Sequence, residues 1–100
     1  MPKIASKVVT FRALIEQSNT SDWQNVSLCF GLFNLIHPGH LRYFQTALEH
    51  GDRLVVAVRG DGLLAEPERK ECFSQEERAR AVAALEIVNN VVILDVGWLE

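Results

Sequence analysis

One hundred residues, 48% hydrophobic and 23% charged, suit a single globular domain, large enough to bury a core and too short for two. A formal net charge of -3 leaves no electrostatic footprint for nucleic acid or an anionic membrane surface. No apolar run approaches the roughly 20 residues of a membrane helix, and the N-terminus lacks the apolar core of a signal peptide.

The chain opens on a short lead-in segment, residues 1–7. Thr10 is placed to cap a helix whose apolar face is Phe11, Leu14 and Ile15, and the polar cluster at residues 18–22 ends it. Trp23 leads into a strand in which Val26, Leu28 and Phe30 alternate with Asn25, Ser27 and Cys29. After a turn at Gly31, Pro38 opens a second helix running to about His50, with Leu41, Phe44 and Leu48 on one face and Gly51 just past its end. Residues 53–58 are nearly all apolar and β-branched after Arg53, as in a parallel strand covered on both faces. Arg59-Gly60-Asp61-Gly62 reads as a turn, and residues 65–73 as a polar, irregular and mobile loop. Ser74-Gln75-Glu76-Glu77 is a capping box that starts a helix through about Val88. Asn89-Asn90 turns the chain into a third buried strand, residues 91–94.

The alternation βαβαβ with short turns predicts an α/β fold, a Rossmann-like doubly wound parallel sheet, with right-handed crossovers. Residues 1–24 form the lead-in and first helix, and residues 25–100 the core of one domain. Ligands in such sheets collect at the carboxyl ends of the strands.

The stretch from Cys29 to His40 stands at such an end: strand, glycine turn, helix start. Free N–H groups and the helix dipole make a helix start attractive to phosphate. His37 and His40, three residues apart, share one side of that first turn. Gly31 lets backbone come close to a ligand, and Gly39 keeps the helix mouth clear. Other residues carry two readings each. Asp61 is a helix cap or a ribose or substrate contact. Arg78 is a solvated helix residue or a phosphate contact. Arg69 and Lys70 are solvated loop residues or a phosphate clamp. His50 lies at a helix C-terminus, where an imidazolium simply suits the dipole. Cys29 and Cys72 lack zinc-site or disulfide-framework spacing, so no metal site is expected and a cytoplasmic setting is the default.

The run Gly31-Leu32-Phe33-Asn34-Leu35-Ile36-His37-Pro38-Gly39-His40 resembles the G-x-F-D-x-x-H-x-G-H signature of the cytidylyltransferase-like nucleotidyltransferases. With Lys7-Val8-Val9-Thr10, Gly51 to Val58 and Glu76-Glu77-Arg78, the chain is similar to the adenylyltransferase domain of ADP-heptose synthases. That resemblance implies transfer of a nucleoside monophosphate from ATP or CTP to a small phosphorylated acceptor such as a sugar phosphate, with release of pyrophosphate. It implies Mg²⁺ accompanying the nucleotide, His37 and His40 as catalytic residues, and Phe30, Gly31, Leu32, Phe33, Asn34, Gly39 and Asp61 around the nucleotide. Arg69, Lys70 and Arg78 would be the further phosphate or substrate contacts. Neither nucleic acid nor a membrane is an expected partner, and an open sheet edge is compatible with a homo-oligomer.

Three differences accompany the resemblance. Asn34 stands where Asp is usual. Cys29-Phe30-Gly31-Leu32 replaces Thr-Asn-Gly-Cys. A second phosphate-binding segment, Ile-Ser-Thr-Thr-like, has no counterpart, so the domain is expected to be C-terminally incomplete and part of a longer protein. Two alternatives follow: a catalytically degenerate nucleotide-binding or interaction module, and a fragment of a class I aminoacyl-tRNA synthetase, whose H-x-G-H motif is related.

Overall fold

The computed structural model describes residues 4–21 and 23–95; residues 1–3 of the lead-in, Asp22 of the polar turn and residues 96–100 lie outside them. Three runs form strands β1 (Val26–Gly31), whose side chains alternate, and β2 (Arg53–Arg59) and β3 (Asn90–Leu94), which are rich in β-branched residues. They pair in parallel in the order β1-β2-β3. Val26 lies opposite Arg53 and Gly31 opposite Val58, while Val55 lies opposite Asn90 and Arg59 opposite Leu94. Parallel pairing requires crossovers, and these are α3 (Pro38–Leu48) between β1 and β2, and α4 (Glu66–Glu71) followed by α5 (Gln75–Ala83) between β2 and β3.

Both main crossover helices pack on one face of the sheet. Phe44 of α3 and Ala79, Val82 and Ala83 of α5 meet Cys29, Leu54, Val56, Val58 and Val91 in one buried cluster. On the opposite face, α2 (Phe11–Thr20) sets Leu14 against Val55, Ala57, Val92 and Leu94. Residues 54–58 of β2 are therefore buried on both faces, which is why the run is apolar without alternation. No helix among the described residues is long and apolar enough to cross a membrane.

Several expectations need correction. In β1 it is Cys29 that is fully buried, while Val26, Leu28 and Phe30 are 45%, 65% and 49% exposed. Alternation identified the strand but not which of its faces would be covered, and α2 covers β2 and β3 better than β1. Likewise Phe11, Ile15 and Leu41 remain partly exposed on their helices. The loop read as irregular and mobile contains α4. Pro67 sits in its first turn, with Glu66 and Glu68 at the positive end and Arg69 and Lys70 at the negative end. Helix α5 stops at Ala83 instead of Val88, because single turns from Leu85 N–H to Val82 O and Val88 N–H to Leu85 O tuck Val88 into the core. The lead-in also joins the fold. After α1 (Ile4–Lys7), Val8 bridges Val91 in parallel, and Val9 N–H donates to Val91 O at 2.9 Å. The outer edge of β3 is thus partly covered, whereas β1 pairs only with β2 among the described strands.

Candidate functional site

The carboxyl end of β1 and the first turn of α3 meet around the two histidines. His37 is the N-cap of α3, with extended backbone, and Pro38 follows at the first helical position. Its Nδ1 accepts the Gly39 N–H at 3.0 Å, while His40 Nδ1 accepts the His37 N–H at 3.2 Å. The pair forms a capping box in which imidazoles take the parts usually played by Ser and Glu. A backbone N–H only donates, so each Nδ1 must be the unprotonated nitrogen. Each neutral ring therefore carries its proton on Nε2.

The rings stack, with centroids 3.9 Å apart and planes 25° apart. Burial, and secondarily the neighbouring His37, pushes the pKa of His40 below the usual histidine value. At neutral pH His40 is thus an uncharged Nε2–H donor held in place by its own helix cap.

The glycines make room for rings. A Cβ on Gly39 would stand 2.7 Å from Cε1 of His37. A Cβ on Gly31 would stand 2.8 Å from Cζ of Phe33. Gly31 was expected to let a ligand approach the backbone; the space beside its Cα is filled by Phe33. That residue is itself in the left-handed region, with φ 53°, a conformation uncommon outside glycine. Its buried ring meets His40 edge-on at 5.2 Å and Phe44 at 5.3 Å. Gly31 and Phe33 together support His40 from below.

An open cavity of about 370 Å³ lies here, lined by Phe30, Gly31, Leu32, Phe33, Asn34, Leu35, His37, His40 and Tyr43. Tyr43, one turn beyond His40, is a residue whose part sequence reasoning missed. Its hydroxyl accepts the Phe30 N–H at 3.2 Å, so that amide is not free for a ligand. It also hydrogen-bonds Cys29, a contact that opposes the larger effect of burial, which pushes the Cys29 thiol up. Cys29 is accordingly no thiolate nucleophile. The spacing of three from His40 was the available signal for Tyr43.

Arg78 departs most from expectation. It is not solvated, but 1% exposed. Its Nε donates to Phe73 O at 2.9 Å, one terminal nitrogen to Leu32 O at 3.0 Å and Arg59 O at 2.7 Å, and the other to Asp61 Oδ1 at 2.8 Å. Asp61 is occupied in turn. Its Oδ2 accepts the Gln75 N–H at 3.3 Å, and its own N–H donates to Gln75 Oε1 at 2.8 Å. Asp61 thus accepts from the first backbone N–H of α5, whose N-cap is Ser74.

Arg69 donates from Nε to Asp61 O at 3.1 Å and pairs with Glu66 at 3.9 Å. Lys70 is exposed on the same helix. The clamp, Arg69 and Lys70, together with Arg78 and Asp61, therefore does not line the cavity that holds His37, His40 and Asn34. Among the described residues no group of three His, Cys, Asp or Glu side chains could hold a metal ion, and the residue of the motif turn facing the cavity is an amide, Asn34. A Mg²⁺ ion held by protein carboxylates does not fit this donor set.

Comparison with known proteins bears on this geometry. The family model described as cytidylyltransferase-like matches residues 28–96. Among curated relatives, the bifunctional protein HldE of Koribacter versatilis is 35% identical over 101 residues, covering 95% of this chain and 20% of that protein. HldE of Geobacter sulfurreducens is 39% identical over 67 residues, covering 65% of this chain and 14% of its own length. HldE of Gluconobacter oxydans is 42% identical over 71 residues, with 65% and 14% covered. The chain thus spans a fifth or less of these relatives. A solved structure of a lipopolysaccharide core biosynthesis protein from Thermoplasma volcanium superposes with a TM-score of 0.64 at 23% identity, covering 75% of this chain and 62% of that one. That likeness is one of fold.

Proposed function

The chain belongs to the cytidylyltransferase-like family of nucleotidyltransferases, and from that premise we propose that it binds the phosphates of ATP or CTP at the head of α3 for transfer of the nucleotidyl group. The observation that carries this reading is the pair of Nε2–H donors preset by the His37–His40 capping box.

In the proposed reaction an oxygen of the acceptor's phosphate forms a bond to the α-phosphorus, and the bond from that phosphorus to the pyrophosphate oxygen breaks. No protein nucleophile takes part. The protein must hold two anions in line and stabilise charge that grows on the α-phosphate and the leaving oxygen. Neutral imidazoles fixed by backbone bonds supply donors without reorganisation. Removal of one such donor costs about 10²–10³ in turnover by oxyanion-hole precedent. The acceptor is a small phosphorylated compound, a sugar phosphate by the resemblance to ADP-heptose synthases, in a cytoplasmic setting. Mg²⁺ would reach the site with the triphosphate and neutralise its charge, and no step here runs through it.

A second reading has its own support: a module that binds nucleotide without turnover. Among the described residues no Lys or Arg side chain lines the cavity, and transfer needs a cation or metal to offset the charge of the transition state. The test is calorimetric titration of ATP and CTP, with and without Mg²⁺, into the wild-type chain and a His37→Ala/His40→Ala variant, with pyrophosphate release measured in parallel. Binding that vanishes in the variant supports the site, and release of pyrophosphate with a phosphorylated acceptor supports the enzyme. Binding without release supports the module. A folded wild-type chain that binds neither nucleotide overturns the proposal.

A further inference from the structure

Beside the cavity at the histidines lies a groove of about 340 Å³, and Asn34 and Leu35 line both. Its volume is at the small end of the range for small-molecule sites. Leu35, Ile36, Phe73 and Ala81 make its walls apolar, with Arg78 buried beneath them. Of the residues that line it, Glu77 alone is both charged and exposed.

Phe73 is held by both of its backbone polar groups. Its N–H donates to Asn34 Oδ1 at 2.8 Å, and its carbonyl accepts Arg78 Nε at 2.9 Å. Phe73 nevertheless stays 52% exposed, next to Leu35 at 69%. A ring fixed in place but left half in water has an apolar surface to offer a ligand. Glu77 is committed at one oxygen only. Its Oε1 accepts the Ser74 N–H at 3.3 Å and the Ser74 hydroxyl at 3.2 Å. Oε2 has no hydrogen-bond partner among the described residues. A carboxylate oxygen accepts and cannot donate, so it suits a ligand hydroxyl.

The acceptor's phosphate has to lie at the histidines, so the rest of the acceptor extends into an adjoining space. Phe30 and Tyr43, at the histidine cavity itself, are 49% and 45% exposed and offer the nucleoside an aromatic surface of its own. A sugar ring matches the groove, with a flat C–H face for Phe73 and hydroxyls for Glu77. An acyclic polyol has the hydroxyls without the face.

We propose that Phe73 and Glu77 determine which acceptor is used. The groove takes the ring of a cyclic sugar phosphate, its C–H face against Phe73 and one hydroxyl donating to Glu77 Oε2. The proposal rests on the reading of the neighbouring cavity as a phosphate site and adds the residues that select the acceptor.

The test is calorimetry on the whole 100-residue chain with glucose 1-phosphate, glycerol 3-phosphate, inorganic phosphate and ATP as probes. The wild-type chain should bind glucose 1-phosphate about tenfold or more tighter than glycerol 3-phosphate, the worth of covering an aromatic ring. Phe73→Ala should bring that ratio close to one. Glu77→Gln should weaken both acceptors about tenfold relative to inorganic phosphate. Glutamine keeps the cap at Ser74, so this variant should melt with the wild type. In the wild-type chain the ring resonances of Phe73 should move on titration with glucose 1-phosphate, a readout that needs no variant to fold. Equal affinity for the two acceptors in the wild-type chain overturns the proposal. So does a preference that survives Phe73→Ala, or an affinity for glucose 1-phosphate unchanged in Glu77→Gln. Phe73 resonances that respond to ATP and not to glucose 1-phosphate overturn it too and give the groove to the nucleoside. A folded chain that binds ATP but neither acceptor overturns this proposal alone, and one that binds no probe overturns the phosphate reading as well.

Discussion

The guanidinium of Arg78 donates to the carbonyl of Leu32 at 3.0 Å, so helix α5 holds the motif turn by its backbone. The same side chain reaches Arg59 O at the end of β2 and Phe73 O ahead of its own helix. One buried cation thereby joins the ends of β1 and β2 to the start of α5. Asp61 supplies the countercharge at 2.8 Å. The donors of the site are consequently placed by a residue that does not touch the cavity.

Removing Arg78 should be far costlier than removing its exposed neighbours. Arg78→Ala leaves three carbonyls and a carboxylate without their donor, and the expected loss is about 3–5 kcal/mol of stability. Arg78→Lys keeps the charge but not the planar fork, and should recover only part of that loss. Arg69→Ala breaks exposed contacts and should cost no more than about 1 kcal/mol. Urea denaturation of the three variants checks this; an Arg78→Ala chain as stable as wild type would remove Arg78 from its bracing role.

Gly31→Ala puts a methyl group 2.8 Å from the tip of the Phe33 ring. Phe33 is confined by Phe44 and His40, so the ring cannot retreat freely and overpacking should cost about 1–3 kcal/mol. The displacement should also reach His40, visible as a shifted His40 imidazole resonance. A Gly31→Ala chain with wild-type melting temperature and unshifted His40 would refute the role given to this glycine.

His37 combines a cap and a donor, and substitution can separate them. Ser is among the strongest N-cap residues, whereas Ala cannot cap. His37→Ala should lose about 1 kcal/mol of stability, and His37→Ser should regain most of it. Both should lose nucleotide affinity alike, since neither reaches the cavity with an N–H. Paired thermal melts and calorimetry distinguish the two contributions. Recovery of affinity in His37→Ser would mean that the cap alone matters.

Protonation of His40 would place an N–H against the His37 N–H that its Nδ1 now accepts. The folded chain therefore favours the neutral ring, and His40 titrates below the ordinary histidine value through burial and the nearby His37. The unfolded state then binds more protons than the folded one in the window just below about pH 6.5. The His40 contribution to stability is complete above that pH and is lost as pH falls through the folded-state pKa. An NMR titration of the His40 ring alongside melts at falling pH reads both effects. A His40 midpoint above that of a histidine in an unfolded peptide would contradict the assignment of Nδ1 as acceptor.

Much of this architecture is local in origin and was legible in the amino-acid order. Alternation marks β1, β-branched runs mark β2 and β3, Pro38 marks the start of α3, and Ser74 with Glu77 marks the start of α5, where the reciprocal bonds form as expected. The spacing of His37 and His40 across Pro38-Gly39 placed both imidazoles at the start of a helix, where His37 is the N-cap and His40 lies three residues on. These signals depend on residues within a few positions of one another, so the chain states them directly.

What only the tertiary structure decided depends on partners remote in sequence. Arg78 meets Leu32 across 46 positions, and Asn34 meets Phe73 across 39. Helical periodicity places Arg78 on a face of α5 but does not say that three carbonyls converge there, so the sequence offered a solvated residue or a phosphate contact and not a buried brace. Alternation in β1 shows two faces but not that α2 would leave Val26, Leu28 and Phe30 half open. A side chain's role follows from what desolvates it and what it bonds. For Arg78, Asp61, Gly31 and Asn34, both were supplied by segments that meet only when the sheet and its helices close.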